Sequence, residues 1–493
     1  MKRSAGILLH ISSLPSPYGI GSLGKAAFDF VDFLEASGQT YWQVLPIGPT
    51  GYGDSPYQSF SVHAGNPYFI DLTALCEAGL LDKKKCDEVD WGADSRLVDY
   101  EKIYNNRFKI LKEAFFNFSK KENYQFKKFI TDNNFWLEDY SLYMAVKTYF
   151  NMLAWYEWPD TVIRNRQESA IKKYSENLRS EIEFQKFLQF LFYSQWEKLK
   201  NYANSHNVKL IGDIPIYAGL DSVDTWAHPE IFLLDEKKNP IKVAGCPPDS
   251  FSVDGQLWGN PLYDWEFLKQ HGYNWWIDRL KTASTLFDVT RIDHFRGFDS
   301  FYAVNSCEKN AVNGEWLPGP GMDFFRKIKE KLGNIELIAE DLGFLTPSVK
   351  KLLLDAGFPG MKIIQFAFNP GEDSDYLPHN YAKNSVVYTG THDNDTILGW
   401  FANCDKKTVN LAKKYGNLTE NEGYNWGFIR LCYLSVSKMA IIPMQDFLGL
   451  GSTARMNTPS TLGENWRWRA SFEDFSQKLS RKIREFSEIY GRI

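Results

Sequence analysis

"TLFDVTRIDHFRGF", Thr285–Phe298, is the stretch whose reading decides the fold. Leu286, Phe287, Val289 and Ile292 are apolar, and Val289 and Thr290 are β-branched, which is the composition of a buried strand. The run then ends in charge, with Arg291, Asp293, His294 and Arg296 inside six positions. The question it poses is what lies at the end of such a strand.

Seven other apolar runs share this character. They are "GILLHI" (6–11), "YWQVLPI" (41–47), "VKLIGDIPI" (208–216), "IELIAED" (335–341), "MKIIQFAF" (361–368), "NSVVYTG" (384–390) and "AIIPMQDFL" (440–448). They are continuous rather than alternating, as in parallel strands buried on both faces. Helical stretches lie between many of them. "GKAAFDFVDFLEASG" and "TPSVKKLLLDAG" both end in Gly, and the second opens with Thr346 as N-cap and Pro347 at the first helical position. Eight strands alternating with helices predict a (β/α)₈ barrel, an α/β fold. A bare barrel takes about 250 residues, and this chain has 493. The expectation is therefore one decorated barrel over 1–493. Its insertions are about 71–207, mostly helical, and 217–284, rich in Pro, Trp and Asp.

The totals bound the function. Net charge is −5, which argues against a nucleic-acid or anionic-membrane partner, since both call for a basic surface. No run is long enough for a membrane span. The apolar run that starts at Gly6 is too short for a signal peptide, and six scattered cysteines without a CxxC fit reduced thiols. The expected location is cytoplasmic. Aromatic residues make up 16% of the chain, with 16 Trp and 26 Tyr; they fit either a large core or stacking platforms for sugar rings. "GIGSLGKA", 19–26, nearly matches a phosphate-binding loop, but Ala26 stands where a Ser or Thr would hold Mg²⁺. A glycine-rich turn into the first helix is the better reading.

Barrel active sites lie at the C-terminal ends of the strands. The third strand ends near Asp213, the fourth in Arg291, Asp293 and His294, the fifth in Glu340 and Asp341, and the seventh in His392, Asp393 and Asp395. Carboxylates at successive strand ends converge on one cleft. Paired carboxyl groups with separated pKa values are the equipment of glycoside chemistry, one ionised and one protonated. Arg291 lies two residues before Asp293, so both point to one face, and its charge favours an ionised, nucleophilic Asp293. Each feature alone has a plainer reading. Arg291 and Asp293 could be a structural ion pair, Glu340 could cap a turn, and Asp393 and Asp395 could be turn or N-cap residues. A two-metal site could use the same carboxylates, although no HxH or HExxH spacing supports one. The joint pattern favours sugar chemistry without a metal or organic cofactor.

"TRID", "AED" and "GTHDND" resemble the strand-end motifs of the α-amylase clan. "GYGDSPYQSFSVHAGNPYFIDL", "GDIPIY", "DTWAHPEIF", "PPDSFSVDGQLWGNPLYDW" and "ARMNTPSTLGENWRWR" narrow the resemblance to the 4-α-glucanotransferases of glycoside hydrolase family 77. It spans nearly the whole chain and is weakest in the helical insertion. The resemblance implies Asp293 as nucleophile, Glu340 as general acid/base and Asp393 as the carboxylate that grips the sugar, with Asp395 its rival. It further implies Arg291, His294, His392 and Asp213 as sugar-binding or supporting residues. Tyr57 would stack beside the scissile sugar, and a loop with Phe251, Trp258, Gly259 and Asn260 would roof the cleft. Ser250 stands where the family usually has Tyr, which bears on acceptor preference. The implied activity is retaining transfer between α-1,4-glucans such as maltooligosaccharides, starch or glycogen. An α-amylase-type hydrolase and a silent glucan-binding protein are the alternatives.

Overall fold

In the computed structural model, residues 3–51, 53–248, 253–343, 345–372 and 374–493 are described. Eight parallel strands close into a barrel: β1 (Ser4–Leu8), β2 (Tyr41–Gln43), β3 (Lys209–Pro215), β4 (Val289–Asp293), β5 (Leu337–Ala339), β6 (Gly360–Ile363), β7 (Ser385–Tyr388) and β8 (Met439–Pro443). Each pairs with its predecessor, and β8 returns to β1 with Ser4 opposite Met439. The strands are nearly all buried, which is why they read as unbroken apolar runs.

The barrel strands are shorter than their apolar runs, and two of them pass directly into helical turns. β6 ends at Ile363 and turns at once into a 3₁₀ segment, Ile364–Phe366. "AIIPMQDFL" divides at Pro443, where β8 stops and the helix Met444–Leu448 begins. Proline has no N–H to give a ladder, and Met, Gln and Leu are good helix formers. Gly449, left-handed at φ 67°, stops that helix. The helices Lys25–Ala36 and Pro347–Ala356 fall where their end signals place them. The Thr346 side chain accepts from Val349 N, and Gly357 is left-handed at φ 76°.

Between β2 and β3 lies a helical body that includes Tyr100–Phe118, Asn134–Tyr149 and the long helix Arg179–Ser205. It has a core of its own in which Trp136, Tyr143, Trp155, Trp158 and Trp226 pack with Phe60. A four-stranded antiparallel sheet stands beside the barrel in the order Gln256–Pro261, Lys242–Cys246, Ser300–Asn305, Gly314–Pro318. The insertion at 217–284 supplies only its first two strands. The other two come from the β4–β5 connection, so this decoration runs past the barrel strand that interrupts it.

Gly24, in the phosphate-loop look-alike, ends against a carboxylate. An added Cβ there would lie 2.2 Å from Asp71 Oδ2. That Asp71 accepts from Ser22 Oγ at 2.7 Å and from Ala74 N at 2.8 Å, capping the helix Leu72–Glu77. The buried Asp71 side chain fills the turn that a phosphate would need.

Candidate active site

The site is built on the ends of β3, β4, β5 and β7. The β3–β4 register sets Asp213 opposite Arg291. Arg291 Nη1 donates to both oxygens of Asp213 at 2.7 Å, and its Nη2 donates to Asp293 Oδ1 at 2.9 Å. Burial works against the guanidinium charge, but Asp213 and Asp293 more than offset it and raise the pKa of Arg291. The planar guanidinium thus holds two carboxylates in fixed geometry. The Asp213 side chain has no exposed surface, and its Oδ2 also accepts from Tyr57 Oη at 2.8 Å. Asp213 therefore aims Arg291 and Tyr57.

β4 ends at Asp293, and the next residue, His294, is left-handed at φ 57°. That conformation is strained for a residue with a Cβ and is found where the surroundings enforce it. It points the His294 N–H at Glu340, whose Oε2 accepts it at 2.6 Å, while Glu340 Oε1 accepts from Leu342 N at 2.8 Å. Burial, and then the charge of Asp293, push the Glu340 carboxyl up to about 7, against the pull of Arg291 and these two N–H groups. The His294 ring meets Trp258 edge to face, with centroids 4.8 Å apart. Burial lowers its pKa to about 4, so the imidazole is neutral near pH 7.

The turn after β7 places His392 and Asp393. His392 stacks on Tyr57 with centroids 4.9 Å apart, and its Nε2 lies 3.3 Å from Asp393 Oδ1. Burial disfavours the Asp393 charge, but His392, the Asn457 amide and Arg291 outweigh it and hold the carboxyl at about 2. Asp395 is elsewhere. Its carboxylate accepts from Ser452 Oγ at 2.7 Å, Asn403 Nδ2 at 3.0 Å and its neighbour Thr396 N at 2.8 Å. Those bonds tie down the helix that follows, whereas Asp393 stands against His392 and Asn457. Asp341 likewise turns away, accepting from Met361 N at 2.6 Å.

Asn260 is buried. Its Nδ2 donates to Ala218 O at 2.9 Å and its Oδ1 accepts from Gln58 Nε2 at 3.4 Å. It pins the strand that carries Trp258 and Gly259 to the loops after β2 and β3. Phe251 and Ser250 lie outside the described residues.

Two contributors carry no strand-end signal. Asn457 Nδ2 donates to Asp393 Oδ1 at 2.5 Å, and its backbone N donates to His392 O at 3.0 Å. Arg455 donates to the carbonyl of Asp393 and, from Nε, to Asn457 O at 2.7 Å. Both belong to the segment after β8, in the stretch "ARMNTPSTLGENWRWR", whose mixed polarity gives no periodic clue to what it touches.

A family model described as 4-alpha-glucanotransferase matches residues 9–474. A 4-alpha-glucanotransferase of Clostridium butyricum is 53% identical over 98% of this chain and 100% of its own length. One from Streptococcus pneumoniae is 49% identical over 100% of this chain and 98% of its own. The solved structure of amylomaltase from Streptococcus agalactiae in complex with acarbose superposes with a TM-score of 0.98 at 41% identity, covering both chains fully. The barrel, the strand-end carboxylates and these matches agree: the chain belongs to the 4-α-glucanotransferases of glycoside hydrolase family 77.

Proposed function

We propose that the chain works as its family does, transferring a segment of an α-1,4-glucan to the 4-hydroxyl of an acceptor glucan or glucose by retaining double displacement. The observation that carries this is the separation of the carboxyl groups. Glu340 is raised to about 7 and is able to donate a proton. Asp293 is bonded to the fixed cation of Arg291, and Asp393 is held at about 2. A protonated and an ionised carboxyl across one bond are what glycoside cleavage requires.

Glu340 protonates the glycosidic oxygen while an oxygen of Asp293 attacks the anomeric carbon. The C–O bond breaks, the shortened donor leaves with the proton, and the glucosyl unit is esterified to Asp293. Esterification removes the Asp293 charge, which is one of the two causes that raise Glu340. Glu340, now an ionised base, takes the proton of the incoming 4-hydroxyl, whose oxygen displaces Asp293 and remakes an α-1,4 bond. Asp393, steadied by His392 and Asn457, grips sugar hydroxyls and favours the flattened, cation-like ring. Tyr57, Trp258, His294 and His392 supply the faces and polar edges against the sugar, with Arg291, Asp213 and Asn260 supporting them. Retention by this route calls for carboxyl groups about 5–5.5 Å apart. The reducing cytoplasm is the compartment proposed, on the scattered cysteines.

The test is Asp293→Asn. It should lose at least about 10³-fold in turnover, as removal of a covalent nucleophile does, while still binding maltooligosaccharides in calorimetry. A variant with near-normal turnover would overturn the assignment of Asp293.

A further inference from the structure

A charge pair with a buried cation joins the helical body between β2 and β3 to the loop after β3. Lys147, whose side chain is 1% exposed, donates to Asp221 Oδ2 at 2.5 Å and to Leu153 O at 3.0 Å. Asp221 Oδ1 accepts from Tyr143 Oη at 2.7 Å and from Trp155 N at 3.1 Å. Asp221 belongs to the loop after β3, while its partners belong to the helical body. The Lys147 ammonium also stands 4.8 Å from the centre of the Phe60 ring, and Phe60 is three residues after Tyr57. Phe60 O in turn accepts from Val223 N at 2.9 Å. The loops after β2 and β3 are thus fastened to each other and to one cation. Asn260 then ties both of them to the strand that carries Trp258 over His294.

Burying the Lys147 ammonium costs much of what the salt bridge gains, so the pair is weak evidence of a role in stability alone. Its position supplies another reason. It fixes the spacing of the walls around the glucosyl ester, and positioning decides which nucleophile reaches that carbon. Water needs no orientation by the walls, whereas a sugar 4-hydroxyl does. We propose that Asp221 and Lys147 are positioning residues that set how the glucosyl-enzyme divides between a sugar acceptor and water. In either branch the nucleophile's proton passes to Glu340 and Asp293 is released as carboxylate. Transfer keeps the number of reducing ends constant, and hydrolysis adds one per event. The proposal rests on the transferase reading above.

The experiment feeds maltotriose to Asp221→Asn, Lys147→Met and Tyr143→Phe and counts new reducing ends against total chain rearrangements. The ratio does not depend on how much of the sample is folded, which separates positioning from mere loss of stability. Asp221→Asn and Lys147→Met should raise the hydrolysed share by about three- to tenfold and raise the apparent KM for added glucose acceptor. Tyr143→Phe, which leaves the ion pair intact, should shift it less. A lower specific activity with an unchanged ratio and acceptor KM in all three would overturn the proposal. If wild type adds one reducing end per cleavage and builds no longer chains, the transferase reading falls instead, and that failure is distinct.

Discussion

Glu340 joins the chemistry to the pH scale. Burial and Asp293 raise its carboxyl to about 7, so the fraction able to protonate a glycosidic oxygen declines as pH rises through that value. The expected kcat/KM profile has an alkaline limb with its midpoint near 7, and Asp393, at about 2, does not set the acid limb. Glu340→Gln should abolish turnover and remove the limb. It should also alter stability with a definite sign. Native Glu340 keeps its proton above the range where an unfolded Glu, near 4.3, has lost its own. Wild type therefore loses stability from this group as pH rises from about 4.3 to 7. The Glu340→Gln variant has no such loss, so its thermal midpoint should exceed that of wild type at pH 8 and converge with it at pH 4.5. A variant less stable than wild type at pH 8 would contradict the charge argument. At this scale the strand-end carboxylates were legible because catalysis in a barrel concentrates where strands stop. Asp213 was legible as a carboxylate near the end of its strand, but its partner was not. Only the β3–β4 register puts it opposite Arg291, and register is a property of two strands far apart in the chain. Asn457 was illegible for a related reason, since a loop amide has no periodicity to announce its target.

Elements obey local rules that the sequence shows directly. Thr346, Pro347 and Gly357 bound their helix where capping chemistry places them. The pseudo-phosphate loop is a local rule with the opposite outcome. Its glycines serve close packing, and Gly24 is jammed against Asp71, which is itself engaged by Ser22 and Ala74. Gly24→Ala should therefore cost about 1–3 kcal/mol by overpacking and lower the thermal midpoint measurably. Gly451→Ala, where an added Cβ meets nothing within 4 Å, should leave it unchanged. Equal midpoints for the two variants would contradict this account of the turn. The antiparallel sheet beside the barrel escaped the sequence reading. Gln256–Pro261 is buried only at its end and Gly314–Pro318 has no buried residue, so these two resemble loops. Ser300–Asn305 holds a buried apolar run, 301–304, which announces a strand but not its antiparallel partners. The strands also lie on either side of β4, so no contiguous stretch looks like a sheet. "AIIPMQDFL" failed in the opposite direction, because its apolar residues serve first a strand and then a buried helix.

At the scale of the whole molecule, the barrel supplies the floor and the insertions supply the walls. The helical body has its own aromatic core and reaches the cleft through Phe60 and the Lys147–Asp221 pair. The C-terminus is bound into the barrel as well, with Arg492 fully buried and donating to the carbonyls of Tyr433, Ser437 and Ser4. Walls fixed on both sides suit a reaction in which a second sugar must outcompete water for the same carbon. The overall barrel was legible because eight buried parallel strands leave eight unbroken apolar runs. How the insertions lean on the site was not, because it depends on contacts between segments as far apart as Phe60, Lys147 and Asp221. The most direct measurement of the central claim is to incubate the protein with maltotriose alone and resolve the products by chain length over time. Free glucose together with maltopentaose and longer chains is the predicted result. Glucose and maltose with nothing longer than the starting trisaccharide would contradict it.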